Sequence, residues 1–198
     1  LPDLARFYKK HNLENAEFLI GIPGSVGGAV KMNAGAYEKE FSDIINSVET
    51  YNLESCNFET FGIEELKFSY RNSTNFNNRV VLSVNLKAFP GDPKKINKTL
   101  KSYIQYRKRT QPAGIYNAGS VFKNGIDYSA GELIDKAGLK GYSVDGVRVS
   151  EKHANFFIAP KGSKAISLYN LVNYVKEKVD TKYGVALEKE ILFIGVFE

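Results

Sequence analysis

The chain has 198 residues, 43% hydrophobic and 25% charged, the balance of a globular protein with room for one large domain or two small ones. A net charge of +5 and a pI near 9.1 admit a polyanionic partner, while no apolar run approaches the ~20 residues that a membrane-spanning helix needs. Cys56 is the only cysteine, which excludes an internal disulfide and suits a reducing compartment, and Leu1-Pro2-Asp3 does not read as a signal peptide.

The spacing of Leu4, Phe7 and Tyr8 predicts a helix over 4–12, and Phe18-Leu19-Ile20 reads as a short buried strand or turn. It leads into Gly21-Ile22-Pro23-Gly24-Ser25-Val26-Gly27-Gly28-Ala29, continued as Met32-Asn33-Ala34-Gly35-Ala36-Tyr37. Such glycine density brings backbone close to a neighbour, allows positive φ and exposes N–H groups that can cradle a phosphate. A helical turn is expected from Gly28 to Asn33. Residues 44–51 and 58–61 alternate as paired strands, 62–66 as a short helix, and 79–89 as a further strand. Cys56 falls in the intervening turn as an inert thiol.

Pro90-Gly91-Asp92-Pro93 breaks the chain and is the expected domain boundary, with Asp92 starting a helix from Pro93 to Arg109. Lys94, Lys95, Lys98, Lys101, Arg107, Lys108 and Arg109 would form its solvated face, and Ile96, Leu100, Tyr103 and Ile104 its buried side. No nucleic-acid-binding motif accompanies this charge. Helices are expected over 130–137 and 163–182, and strands over 142–149, 154–158 and 187–196. Strands and helices mix without strict alternation, which gives an α+β class. In the last strand, Glu188 and Glu190 fall on the face of Leu192 and Ile194, and a carboxylate on an apolar face is a paired or functional group. His153, with no other ligand type close in sequence, is a poor metal ligand and reads as structural; His11 reads as solvated, and no metal site is expected.

Four blocks resemble the UDP-N-acetylenolpyruvoylglucosamine reductase (MurB) family. They are the glycine segment above, Tyr70-Arg71-Asn72-Ser73, Gly119-Ser120-Val121-Phe122-Lys123-Asn124, and Leu187-Glu188-Lys189-Glu190-Ile191. Gly131 to Gly141 and Val149 to Phe156 resemble the same family between the last two blocks. The short span from Arg71 to Ser120 resembles its compact second type. Proline usually follows the asparagine of the third block, where this chain has Gly125. Asparagine usually follows Phe-Ile in the strand after His153, where this chain has Ala159-Pro160.

The resemblance implies a FAD-binding portion over 1–91 and a substrate-binding domain over 92–198. It implies reduction of UDP-N-acetylglucosamine enolpyruvate to UDP-N-acetylmuramate, with NADPH as reductant, for peptidoglycan synthesis in the bacterial cytoplasm. Ser120 would be the proton donor, and Arg71 and Glu190 would stabilise the enolic intermediate; the choice of Glu190 over Glu188 rests mainly on the resemblance. FAD would lie against Gly21, Ile22, Pro23, Gly24, Ser25, Gly27, Gly28, Ala29, Asn33, Gly35, Ala36 and Tyr37. Tyr70, Arg109, Lys123 and Asn124 would bind the substrate. Family members begin with a further FAD-holding segment not found here, so Leu1 is expected to lie partway into the cofactor domain. A fragment that binds the UDP-sugar without turnover is the alternative. A nucleic-acid binder is suggested by the charge alone, and neither nucleic acid nor membrane is an expected partner.

Overall fold

The computed structural model describes residues 1–112 and 116–197 and divides into two compact units, Leu1–Arg107 and one that begins at Lys108. Each has its own apolar core.

In the first unit, helix α1 (Pro2–Lys10) starts at a proline, whose missing N–H costs nothing there, and buries Ala5 and Tyr8. The Tyr8 hydroxyl donates to the Lys87 carbonyl at 2.8 Å. A 3₁₀ turn over Glu17–Gly21 sinks Phe18 and Leu19 completely, and α2 (Val26–Met32) follows. Residues 45–52 form the central strand of an antiparallel sheet, flanked by 58–62 and 79–86. Opposite Glu49 and Thr50, the outer strand carries one extra residue: Ser83 pairs with Glu49 and Val81 with Thr50, leaving Leu82 unmatched. This bulge breaks the inward–outward alternation along that strand. Leu82 and Ser83 both face outward, while Val81, Val84 and Leu86 pack on the core.

Helix α3 (Pro93–Thr110) begins as expected, with the Lys94 N–H donating to the Asp92 carboxylate at 2.8 Å. Ile96 and Leu100 are buried in the first core and Tyr103 packs against it, whereas Ile104 is exposed. The division therefore falls at 107/108 rather than 91/92, because the apolar face of α3 has its partners in the first unit.

The second unit packs α4 (Ala130–Lys136) and α5 (Ala165–Tyr183) with a small antiparallel sheet of 143–144, 147–149 and 157–158. The single strand expected over 142–149 is a hairpin, because Asp145 and Gly146 both take positive φ and turn the chain in two residues. α5 buries Leu171, Val172, Val175 and Val179, the spacing its sequence announced, and Gly184 ends it in the left-handed conformation. The strand expected over 187–196 does not form as a regular strand. Its first residues lie beside 121–123, Leu187 is buried, and Ile191 and Phe193 pack on the core. Leu192 and Ile194 are 81% and 91% exposed, so the apolar face assigned to Glu190 is not a buried one.

Leu100→Ala is expected to cost about 2–5 kcal/mol and to speed amide exchange in the strand 45–52. Val172 and Val175 should keep their protection, whereas a loss confined to them would place α3 in the second unit.

Candidate active site

The glycine segment forms a turn and the first turns of a short helix. Ser25 caps α2 by accepting from the Gly28 N–H at 3.1 Å, and Gly24 takes φ +118°, which a side chain would strain. Gly21 and Gly35 are glycines for reasons internal to the fold: an added Cβ would overlap the Arg107 side chain at Gly21 and sit 2.5 Å from the Lys39 carbonyl at Gly35. Gly27 and Gly28 are different. A Cβ at Gly27 would make only ordinary contact with Val81, and one at Gly28 would press slightly on Ser25. Two small residues retained there, beside exposed Pro23, Gly24 and Ser25, fit a surface kept open for a bound group. Ala29 is buried beneath it, and Ile22 and Ala36 are half-buried.

Asn33 has a different task. It is fully buried at the end of α2 with φ +42°. Its amide donates to Glu40 at 2.6 Å and to the Ser69 carbonyl, and its Oδ1 accepts from the Ser42 N–H at 3.0 Å. Asn33 therefore shapes the segment from inside.

Two tight turns carry the next residues. Gly35–Ala36 pairs with Lys39–Glu40 through a turn in which Tyr37 and Glu38 both have positive φ. Non-glycine residues pay about 1–3 kcal/mol each there. Tyr37 is held in place by stacking on Tyr103, with centroids 3.7 Å apart and planes 4° from parallel, and by donating to the Tyr103 carbonyl at 3.1 Å. Phe68–Ser69 pairs with Asn72–Ser73 around Tyr70 and Arg71, and Arg71 also has positive φ. The Arg71 guanidinium donates to the Gly35 carbonyl at 2.8 Å, lies 3.9 Å from the Glu40 carboxylate and covers the exposed Tyr70 ring. The structure thus joins Gly35, Tyr37, Asn33, Tyr70 and Arg71 in one cluster. Arg109 is exposed near the end of α3.

In the second unit, Gly119 turns with φ +84° after the Asn117 side chain accepts its N–H at 3.0 Å, and delivers Ser120 half-buried. The following residues are clamped on two sides. On one side stands Asn155, only 3% exposed. Its carbonyl oxygen accepts from the Val121 N–H, its side-chain Oδ1 accepts from the Phe122 N–H, and its Nδ2 donates to the Phe122 carbonyl, all at 2.8–2.9 Å. On the other side, the Lys123 N–H donates to the Glu188 carbonyl at 2.9 Å and the Glu190 N–H to the Val121 carbonyl at 2.8 Å. Ser120 and Glu190, seventy residues apart, therefore attach to consecutive residues of one backbone segment. Glu190 is half-buried and Glu188 exposed, with the Glu188 carboxylate taken by Lys123 at 2.6 Å. Asn124 accepts from the Ala130 N–H at 3.0 Å and so anchors the start of α4.

Asn155 and Arg107 were missed in the sequence. The signal for Asn155 was a polar residue between the apolar Ala154 and Phe156; for Arg107 it was position, one turn after Tyr103 on the helix face that packs inward.

His153 supports Asn155 from below. Its Nδ1 accepts the Asn155 N–H at 3.3 Å, which requires an unprotonated nitrogen, and Cε1 fills the space that leaves Gly131 no room for a relaxed Cβ. Burial pushes the His153 pKa down from 6.5, with Lys140 adding to the effect against an opposing backbone hydrogen bond. Among the described residues no group of acids, histidines or cysteines could hold a metal ion, and no helix is long and apolar enough to cross a membrane.

The second unit matches a known class of domain. The family model for the C-terminal domain of UDP-N-acetylenolpyruvoylglucosamine reductase covers residues 111–194. A relative of that name from Wolbachia sp. subsp. Drosophila simulans is 38% identical over 197 residues, covering all of this chain and 67% of its own length. Another from Rickettsia rickettsii is 42% identical over 193 residues, covering 98% of this chain and 65% of its own. A crystal structure of UDP-N-acetylenolpyruvylglucosamine reductase (MurB) from Thermus caldophilus superposes with a TM-score of 0.86 at 35% identity, covering 96% of this chain and 68% of that one. The chain belongs to the UDP-N-acetylenolpyruvoylglucosamine reductase family and spans about two thirds of the length of these relatives.

Two outcomes test the clamp. Asn155→Ala should leave two buried backbone groups of Phe122 without partners, at about 1–3 kcal/mol each, with faster amide exchange at Phe122 and Glu190; unchanged exchange would contradict it. For His153, the folded pKa lies below the unfolded one, so the unfolded state takes up the proton first. Stability is full above pH 6.5 and is lost as pH falls below it towards the folded value. The melting temperature of the wild type should drop from pH 7.5 to pH 5.5, and His153→Gln should flatten that drop.

Proposed function

We propose that this chain carries the reductive chemistry of its family: conversion of UDP-N-acetylglucosamine enolpyruvate to UDP-N-acetylmuramate, with FAD as cofactor and NADPH as reductant, in the bacterial cytoplasm. The observation that carries the reading is the Ser120 hydroxyl. It is half-buried, makes no hydrogen bond to a described residue, and sits on the segment that also anchors Glu190.

Bound FAD would supply the hydride. Gly21, Ile22, Pro23, Gly24, Ser25, Gly27, Gly28, Ala29, Gly35, Ala36 and Tyr37 would hold it, with Asn33 shaping the loop from within; the open face at Gly27 and Gly28 supports this assignment. Ser120 then gives its proton to the carbon that becomes carbanion-like. A serine hydroxyl is a weak acid in water, so this step needs an acceptor as basic as an enolate carbon and a fixed approach geometry. The clamp by Asn155 supplies the geometry. Arg71 brings a charge that persists at any working pH, and its strained backbone, tied to Gly35 and Glu40, fixes the guanidinium in advance. Glu190 stabilises the enolic form of the substrate. Lys123 offers a cation for the substrate, and its present partner Glu188 is an exposed carboxylate that an anionic ligand would displace. Tyr70 and Arg109, both exposed, would bind the UDP-sugar, and Asn124 contributes through its hold on α4.

The purified chain, mixed with FAD and freed of excess, should keep the visible flavin bands and oxidise NADPH only when the enolpyruvyl sugar is present. A colourless protein that still binds the UDP-sugar would leave the second reading, a substrate-binding unit without turnover.

A further inference from the structure

Asn124-Gly125 is the only asparagine–glycine pair in the chain, and its glycine stands where the third block usually has proline. Packing explains the glycine: a Cβ on Gly125 would overlap the ring of Tyr128, which packs against the second core. Asn124 is exposed, and its side chain turns back over the residues that follow, where Oδ1 accepts from the Ala130 N–H at 3.0 Å. That bond polarises the carboxamide carbon, Cγ, and sets a donor on the oxygen where negative charge would gather if Cγ were attacked. A nucleophile is next in the chain, because a bond from the Gly125 nitrogen to Cγ closes a five-membered ring. Gly125 has no Cβ to crowd that approach. Its N–H donates to the Tyr128 carbonyl at 3.1 Å, a single bond that opens before the nitrogen attacks. Asn33 and Asn155 differ on each count. Both are buried, both have the two ends of the carboxamide engaged, and both precede a residue with a side chain.

We propose that Asn124 is a site of spontaneous modification, an intramolecular acyl transfer that ends in loss of its side-chain amide. The Gly125 nitrogen bonds to Asn124 Cγ, the bond from Cγ to Nδ2 breaks, and ammonia leaves carrying the hydrogen given up by the Gly125 nitrogen. The cyclic imide then takes up one water. Opening at one carbonyl leaves aspartate at 124; opening at the other leaves isoaspartate, with the main chain rerouted through the former side chain. Either product sets a carboxylate next in the chain to Lys123, the cation offered to an anionic ligand. Isoaspartate also adds a main-chain carbon directly after the residue whose N–H pairs with the Glu188 carbonyl. The modified chain therefore binds the UDP-sugar more weakly. This consequence, unlike the modification itself, rests on the reading of Lys123 and Asn124 as substrate residues.

The test ages the whole folded chain in mildly alkaline buffer, then reads each asparagine peptide by mass spectrometry and by enzymatic labelling of isoaspartate. Aspartate and isoaspartate should accumulate at 124 ahead of Asn33 and Asn155. Gly125→Pro, whose nitrogen carries no hydrogen to give up, should form neither. Gly125→Ala is the second variant should the proline chain fail to fold: the end of the Tyr128 ring can swing aside for one methyl, and the added Cβ should slow the modification about tenfold or more. A separate arm measures UDP-sugar binding without turnover. Asn124→Asp, one of the two products, should bind about tenfold more weakly than the wild type, the effect of a like charge set against an anion. An Asn124 that survives ageing intact, or equal modification in the wild type and Gly125→Ala, would overturn the proposal and leave the substrate reading standing. A modified Asn124 with unaltered UDP-sugar binding would uphold the modification and remove Asn124 from the substrate site.

Discussion

One buried carboxamide organises the second unit. Asn155 has both of its side-chain hydrogen-bonding atoms on the backbone of Phe122 and its carbonyl on Val121, and the far edge of that same segment receives Glu188 and Glu190. A carboxamide can donate and accept at once, as a peptide of a neighbouring strand does, and this lets Asn155 stand in for a missing ladder. Four backbone groups that would otherwise be buried without partners are satisfied in this way. The geometry of Ser120 follows, because the residue after it cannot shift without breaking the clamp. The imidazole of His153 beneath Asn155, which must be unprotonated at Nδ1 to accept the Asn155 N–H, makes the arrangement sensitive to acid.

The first unit solves a related problem with strain. Asn33, Tyr37 and Arg71 are all non-glycine residues in the left-handed region, and each is tied by its side chain to a neighbouring element. Asn33 joins α2 to the 69 and 42 loops, Tyr37 joins the 35–40 hairpin to α3, and Arg71 joins the 68–73 hairpin back to Gly35. The strained residues brace the turns on either side of them through these side-chain bonds. Where strain clusters and is over-determined by partners, pre-organisation is the physical reading.

Much of this was legible in the sequence, for identifiable reasons. The apolar spacing of 163–182 announced a long helix, which forms over Ala165–Tyr183, and Asp92-Pro93 announced the start of another. The alternation of 44–51 announced a strand, which forms over Ile45–Asn52. Two features escaped because they depend on partners distant in sequence. The phase of the segment after Leu187 was misread, since alternation cannot tell which of two apolar sets meets a core: Ile191 and Phe193 do, Leu192 and Ile194 do not. The domain boundary was set at a proline-glycine break, while the partners of Ile96 and Leu100 decide it instead. Among the candidate residues, Ser120, Glu190 and Arg71 were proposed from motif identity, while the inward role of Asn33 and the helix-anchoring role of Asn124 are consequences of packing that no local pattern encodes.

The central claim is that the fold clamps Ser120 in order to deliver one proton. It is tested most directly by separating the two halves of the reaction in Ser120→Ala with stopped-flow absorbance. The account predicts that NADPH reduces the bound flavin at the wild-type rate, while its reoxidation by the enolpyruvyl sugar slows by about 10²–10⁴-fold, the range of a lost general acid. Reoxidation at the wild-type rate would contradict it and move the proton donor to another residue.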